Sequence, residues 1–170
     1  MAEDNSNANQ QQVQPFEIRK VYLKDFSYES PMSPDVFVQQ YKPALSVDFT
    51  LDHRKLEIEA DPDSYEATVR VTATCKQADD DTKTYFVCEV KYAGVFAVRF
   101  KDLDLRHALE AVCPTVLFPY ASERIGSMIA QGGFPPVMRP PVNFELLFAQ
   151  KLQQEQQQQN GAAAQAPANS

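Results

Sequence analysis

Tryptophan is absent from this 170-residue chain, and cysteine, glycine and histidine are scarce, at three, five and two residues. The cysteines are Cys75, Cys88 and Cys113, an odd and scattered set that makes no disulfide framework. They form no C-x-x-C pair. With His53 and His107 as the only histidines, there are no closely spaced ligand pairs for tetrahedral zinc, so neither a metal nor any other cofactor is expected. Five glycines leave little from which to build a phosphate-cradling loop, and no P-loop, dinucleotide-binding or G-x-S-x-G pattern occurs. Positive charge is also short: 16 Lys and Arg stand against 23 Asp and Glu, a net charge of −7. That excludes the basic footprint of a nucleic-acid binder and suits attraction to a basic patch on a partner. No apolar run reaches the roughly 20 residues needed to span a bilayer. The opening MAEDNSNANQQQVQ lacks the basic and apolar regions of a secretory signal. A cytoplasmic protein without membrane insertion is therefore expected.

What is present is a patterned middle between two low-complexity ends. Residues 1–14 are polar and free of aromatics, and cannot bury enough apolar surface to offset the entropy of ordering. Residues 154–170 are rich in Gln and Ala and read as a second tail, its start able to extend the preceding helix. One domain over residues 15–153 is expected between them.

Its first half reads as strands. Residues 16–29 are rich in aromatic and β-branched side chains, but Phe16 and Ile18 have one parity, Val21 and Leu23 the other, and Phe26 and Tyr28 the first again. A bulge near Lys20, or burial on both faces, would account for this. Leu45, Val47, Phe49 and Leu51 alternate with polar residues, as do Val69, Val71, Ala73 and Cys75. QADDDTK reads as a hairpin turn into a strand whose Phe86, Cys88, Val90 and Tyr92 share one parity, with Gly94 marking an interruption. Between the first two strands, SPMSPDVFVQQYKP is a long crossover.

The second half reads as helices. A short one over residues 102–112 is expected to stop at Cys113, because Pro114 disfavours helix at the residue before it. A second is expected to start at Pro119 and to carry the stripe Ala121, Ile125, Met128 and Ile129. Gly132 and Gly133 end it, one as a left-handed cap. Asn143 is placed to cap a last helix with the face Phe144, Leu147, Phe148 and Leu152. Strands followed by helices imply an α+β fold: a four-stranded antiparallel sheet with helices packed on one face.

Few residues suggest catalysis. Cys88 lies mid-strand with inward parity, and Cys113 and His107 fall on different helix faces, whereas a reactive thiolate needs a positive, partly exposed setting. Neighbours Ser122, Glu123 and Arg124 do not face one another on a helix and read as a polar face. A small hydrolase using Cys113 or Ser122 is the weakest of the readings. Two features remain. Aromatics crowd the connecting segments at Phe37, Tyr41, Phe118, Tyr120 and Phe134, either sealing the core or lining an apolar groove for extended chains. Asp25, Ser27 and Glu29, with Val87 and Glu89, share outward parities, as an ordinary solvated face or as an acidic docking patch.

Taken in order, VYLKDFSYESP, FVCEVKYAGVFAV, CPTVLFPYASERI and GGFPPVMRPPVNFELLF resemble the SecB family of bacterial protein-export chaperones over residues 16–152. The resemblance implies an ATP-independent, non-enzymatic holdase. It would assemble as a homotetramer, a dimer of dimers, keep unfolded precursor proteins competent for translocation, and deliver them to the translocase motor SecA. The positions matching the family's contact with the zinc-containing C-terminal tail of SecA are Asp25, Glu29, Val87 and Glu89. Those matching the client groove are Tyr41, Leu45, Val47 and Phe49, with Tyr120, Ile125, Phe148 and Leu152. Val87 stands where the family usually has leucine, and Tyr41 where tryptophan is common. A solo or antitoxin-linked chaperone of the same fold, not dedicated to export, is the alternative. It would keep the groove without needing the acidic set.

Overall fold

The computed structural model describes residues 14–40, 42–136 and 141–163, and within the last helix side chains as far as residue 158. Its first strand, β1 (Phe16–Glu29), resolves the parity puzzle with two bulges. The register against the fourth strand shifts between Ile18 and Lys20 and again between Leu23 and Asp25. Each shift adds one residue and reverses the alternation. As a result Phe16, Ile18, Val21, Leu23, Phe26 and Tyr28 all lie opposite even-numbered residues of that strand, from Val98 back to Cys88. The expected bulge near Lys20 falls at Arg19; a second, at Lys24, completes the switch.

β2 (Pro43–Lys55), β3 (Ser64–Gln77) and β4 (Asp80–Val98) complete one antiparallel sheet in the order β1-β4-β3-β2. β1 and β2 are thus opposite edges. Their link must cross three strand spacings, about 14 Å, which is why it is long. It carries one turn of 3-10 helix, Asp35–Phe37. The central strands supply the core: Val69, Val71, Ala73 and Cys75 of β3, and Phe86, Cys88, Val90, Phe96 and Val98 of β4, are fully buried. β4 does not break at Gly94, contrary to expectation. The strand runs straight through it, and the glycine serves close approach instead: a Cβ there would lie 2.5 Å from the Phe96 ring and 3.1 Å from Leu117 on the covering helix.

The helix expected to end at Cys113 does not end. α1 (Asp102–His107), one π-helical turn (Ala108–Val112) and α2 (Cys113–Gln131) form a continuous rod. The widened turn explains how the rod accommodates Pro114. The Cys113 amide donates five residues back, to the Ala108 carbonyl, and the Thr115 hydroxyl donates to the Ala111 carbonyl at 2.7 Å. A π turn relieves the ring clash and the missing amide that would break a regular helix. Pro119 is likewise interior rather than at a helix start, and it faces solvent. Leu117, Phe118, Ala121, Ile125 and Ile129 face the sheet and are buried. Gly133, at φ 85°, takes the left-handed position after the helix. Gly132 is required for packing, since a Cβ would overlap the Tyr28 hydroxyl.

α3 (Phe144–Ala163) starts as expected, with the Leu146 amide donating to Asn143 Oδ1 at 3.0 Å. It then continues past residue 153 to Ala163, the start of the Gln-rich segment extending the helix. Gln, Glu and Ala are good helix formers, and the segment is tied back where Arg106 grips both oxygens of Glu155 at 2.7 and 2.6 Å. The architecture is α+β, a four-stranded antiparallel sheet with helices packed on one face.

Candidate functional site

The two faces of the sheet carry different chemistry. On the face away from the helices, the register places Glu29 opposite Val87, Ser27 opposite Glu89, and Asp25 opposite Lys91. Asp25 and Glu29 are exposed, and Val87 and Glu89 are half-buried. The four positions matched to motor docking therefore adjoin on one open surface. The Asp25 carboxylate accepts the Phe26 amide at 2.9 Å, steadying the backbone beside the second bulge. Glu89 is held from β3, accepting Arg70 Nη1 at 3.0 Å and the Thr72 hydroxyl at 3.2 Å. Tyr85, an odd-numbered residue of β4 like Val87 and Glu89, is buried. The β3–β4 register skips it, pairing Cys75 with Phe86 and Lys76 with Thr84, so this residue leaves the alternation.

Further along the same face sits a buried carboxylate that sequence reasoning missed. Glu66 accepts from Lys24 Nζ at 2.6 Å, from Arg54 Nε at 2.7 Å and from the Tyr22 hydroxyl. Burial alone would raise its pKa, but the three donors outweigh it and hold the carboxyl down at about 2. Burial and the same carboxylate push the Tyr22 phenol up to about 12. The cluster joins Tyr22 and Lys24 of β1, Arg54 of β2 and Glu66 of β3, so no sequence spacing advertises it.

On the helix side, the apolar row Leu45, Val47, Phe49 and Leu51 follows the β2 edge. Leu45 is 42% exposed and Leu51 37%, while Val47 and Phe49 are half-buried. Phe49 meets Phe118 and Phe144 edge-on, with centroids 6.0 and 5.7 Å apart. At one end of the row Leu51 enters a hollow of about 210 Å³ with Leu109, Leu147 and Phe148. Beyond the other end, a second hollow of about 200 Å³ lies between the crossover and the connector, lined by Val36, Phe37, Gly133 and Phe134. Cys75, the partner of Leu45, pairs on its other side with Phe86, whose ring centroid is 4.8 Å from that of Phe134. The row itself spans about 20 Å of extended backbone.

The expected groove residues do not all meet. Leu45, Val47, Phe49 and Phe148 share the β2 side, and Leu152 packs partly buried against the core. Ile125 faces inward and is 1% exposed, a core residue of the helix–sheet layer. Tyr120, half exposed, packs against Tyr92 with tilted rings 5.8 Å apart, towards the β1 side. Tyr41 lies outside the described residues. Phe37, Leu51, Phe134 and Leu147 line the hollows although no matched motif position marked them. Leu51 was legible as the last member of the β2 alternation.

Among the described residues no group of three or more His, Cys, Asp and Glu is arranged to hold a metal ion. Burial pushes the Cys88 and Cys113 thiols up to about 11 and about 12, so neither is a thiolate near neutrality. Ser122 and Arg124 are half-buried on α2, with Ser122 Oγ and Arg124 Nε buried without a hydrogen-bond partner. Among the described residues, no helix is long and apolar enough to cross a membrane.

The domain is thus α+β, with an exposed apolar track beside one face of its sheet and a charged patch on the other. A family model described as preprotein translocase subunit SecB matches residues 8–155. Protein-export protein SecB of Alkalilimnicola ehrlichii is 43% identical over 157 residues, 92% of this chain and 80% of that protein. A SecB-like chaperone of Mycobacterium tuberculosis, solved in complex with a ChAD peptide from an antitoxin, shares the fold. Its TM-score is 0.58 at 12% identity, covering 75% of this chain and 91% of that one. The chain belongs to the SecB family, whose members are non-catalytic chaperones.

Proposed function

We propose that this protein is a cytoplasmic, ATP-independent holdase that keeps unfolded precursor proteins competent for export and passes them to SecA. The observation that carries this reading is the separation of the two surfaces. The apolar track and its hollows lie on the helix side, and Asp25, Glu29, Val87 and Glu89 lie together on the open face. A client and a motor would then bind without competing for space. An extended client segment buries its side chains in the hollows, and the free β2 edge offers backbone groups to pair with it. Binding the unfolded state pulls a client's folding equilibrium away from native, so slow folders are retained.

Assembly is part of the proposal. Ile18, Leu23 and Phe26 of β1 are 38–47% exposed on the helix side, and α2 buries two polar atoms without partners. Such surfaces suit coverage by further copies in a dimer of dimers, which would multiply the track and raise avidity for one long client.

Two measurements test the reading. Refolding of a slow-folding precursor is expected to slow in proportion to added protein; no delay at stoichiometric excess would sink the holdase. Glu89→Lys is expected to abolish SecA binding and leave client retention intact. The second reading, a chaperone of the same fold serving a partner other than the export motor, is favoured by the antitoxin peptide in the mycobacterial complex. Wild-type protein that retains clients but does not bind SecA would select it.

A further inference from the structure

The docking patch proposed above contains its own cations. Glu89 offers two carboxylate oxygens, and both are occupied from β3: Oε1 by the Arg70 guanidinium at 3.0 Å, Oε2 by the Thr72 hydroxyl at 3.2 Å. Lys91 stands in register between Asp25 on one side and Arg70 on the other. Arg70 and Lys91 are therefore like charges directly opposed across two strands, an arrangement that costs stability unless carboxylates offset it. Beside them is an open hollow of about 380 Å³, lined by Thr50, Leu51, Asp52, Thr68, Arg70 and Lys91.

From this geometry we propose that Arg70 is an internal competitor for the docking surface. It occupies the carboxylate that a cationic partner must engage, and so sets how tightly and how specifically the partner is held. A partner cation approaching Glu89 has to share or displace the guanidinium. The hollow gives a displaced Arg70 room to swing, and Asp52 on its wall offers a replacement carboxylate. Lys91 acts in the same direction on Asp25, without occupying an oxygen. The patch thus presents three carboxylates, Asp25, Glu29 and Glu89, already partly answered by two cations. A dock built this way favours a partner with several cations and releases it readily, as repeated delivery requires. Weakly basic surfaces gain too little to displace Arg70.

The inference rests on the docking reading, and one set of variants separates the two. Equilibrium binding of full-length SecA to the intact chaperone is measured over a salt series for Arg70→Gln, Lys91→Gln, Glu89→Gln and the Arg70→Gln/Glu89→Gln pair. Arg70→Gln is expected to tighten binding by about fivefold and to steepen its salt dependence, since a freed carboxylate meets the partner's charge in full. Lys91→Gln should tighten it less, and it stands in for the first variant should that one lose its fold on heating. In the Glu89→Gln background the gain from Arg70→Gln should vanish. Unchanged or weaker binding by Arg70→Gln would overturn the proposal, since Arg70 would then merely orient Glu89. So would a gain that persists without the Glu89 charge. Glu89→Gln alone tests the parent reading: if it leaves SecA binding unchanged, the docking assignment itself fails.

Discussion

The two faces of this sheet solve opposite problems with the same strands. The helix-side face is made by steric means. Two bulges bring Phe16, Ile18, Val21, Leu23, Phe26 and Tyr28 of β1 to the helix side, Gly94 lets α2 settle close, and a π turn keeps the helix over the sheet despite Pro114. The open face is made by charge, with Glu66, Glu89 and Asp25 each set among cations in the register of neighbouring strands. Substitutions of buried side chains on the first face should therefore register as lost stability and those of its exposed β2 row as altered client binding, while those on the second face should alter docking, unless a charge there is buried as deeply as a core side chain.

The sharpest way to break this contrast is through Ile125 and Tyr120, two α2 residues that the family resemblance assigns to the same groove. Ile125→Ala removes a fully buried side chain and should cost about 2–5 kcal/mol in chemical denaturation. Tyr120→Ala, at a half-exposed position towards β1 and outside the β2 track, should cost about 1 kcal/mol or less and leave client retention as it is. If Ile125→Ala kept its stability and lost clients instead, the helix-side layer would be a binding surface rather than a core.

Glu66 is the exception expected on the open face. Glu66→Gln leaves Lys24 and Arg54 facing a neutral group and should cost about 2 kcal/mol near neutrality, less than a fully buried pair because Arg54 is largely exposed. The sign with pH follows from its lowered folded-state pKa, about 2 against an ordinary 4.5. The stabilisation is complete above 4.5 and is lost as pH falls from there towards 2. Denaturation midpoints over that window should drop steeply for the wild type and less so for Glu66→Gln. Parallel curves would show that other carboxylates govern acid unfolding.

These two tests also mark what could be read from the sequence. Alternation in 45–51 and 69–75, and the stripe at Ala121, Ile125 and Ile129, expose strands, helix and sheet face, because period and burial are local properties. The irregularities were less legible. The parity reversal in β1 announced a bulge but not two, and proline rules argued for a break at Pro114 that a single π turn avoids. The Glu66 cluster and the Arg70 clamp join residues on different strands, so only register reveals them. The hollow at Phe37 and Phe134 draws on two segments about a hundred residues apart in the chain.

A third test concerns the track alone. Leu45→Ser and Leu51→Ser change exposed members of the β2 row whose loss opens no cavity. Each should leave the thermal midpoint nearly unchanged, since exposed substitutions usually stay within about 0.5 kcal/mol. Each should shorten the lifetime of a bound client, measured by release of a labelled unfolded precursor. An unaltered lifetime in the double variant would move client binding elsewhere, to the hollow at Phe37.

The smallest effect expected lies in the Gln-rich turns of α3. α3 is held to the rod by a chain of charges: Lys151 to Glu110 at 2.7 Å, Glu110 to Arg106 at 2.8 Å, and Arg106 to Glu155. Phe144 and Phe148 already bury the first two turns, so the charges cannot be what docks the helix as a whole. Their effect must fall on the turns beyond Leu152, which have no apolar face of their own to bury. Glu155→Gln should therefore leave the global midpoint where it is and speed amide exchange only from about residue 153 onward, an effect that added salt should reproduce in the wild type. Faster exchange back to Phe144 would mean that the charges, not the phenylalanines, seat the helix. The closure of the hollow between Leu51 and Phe148 would then depend on ionic strength as well.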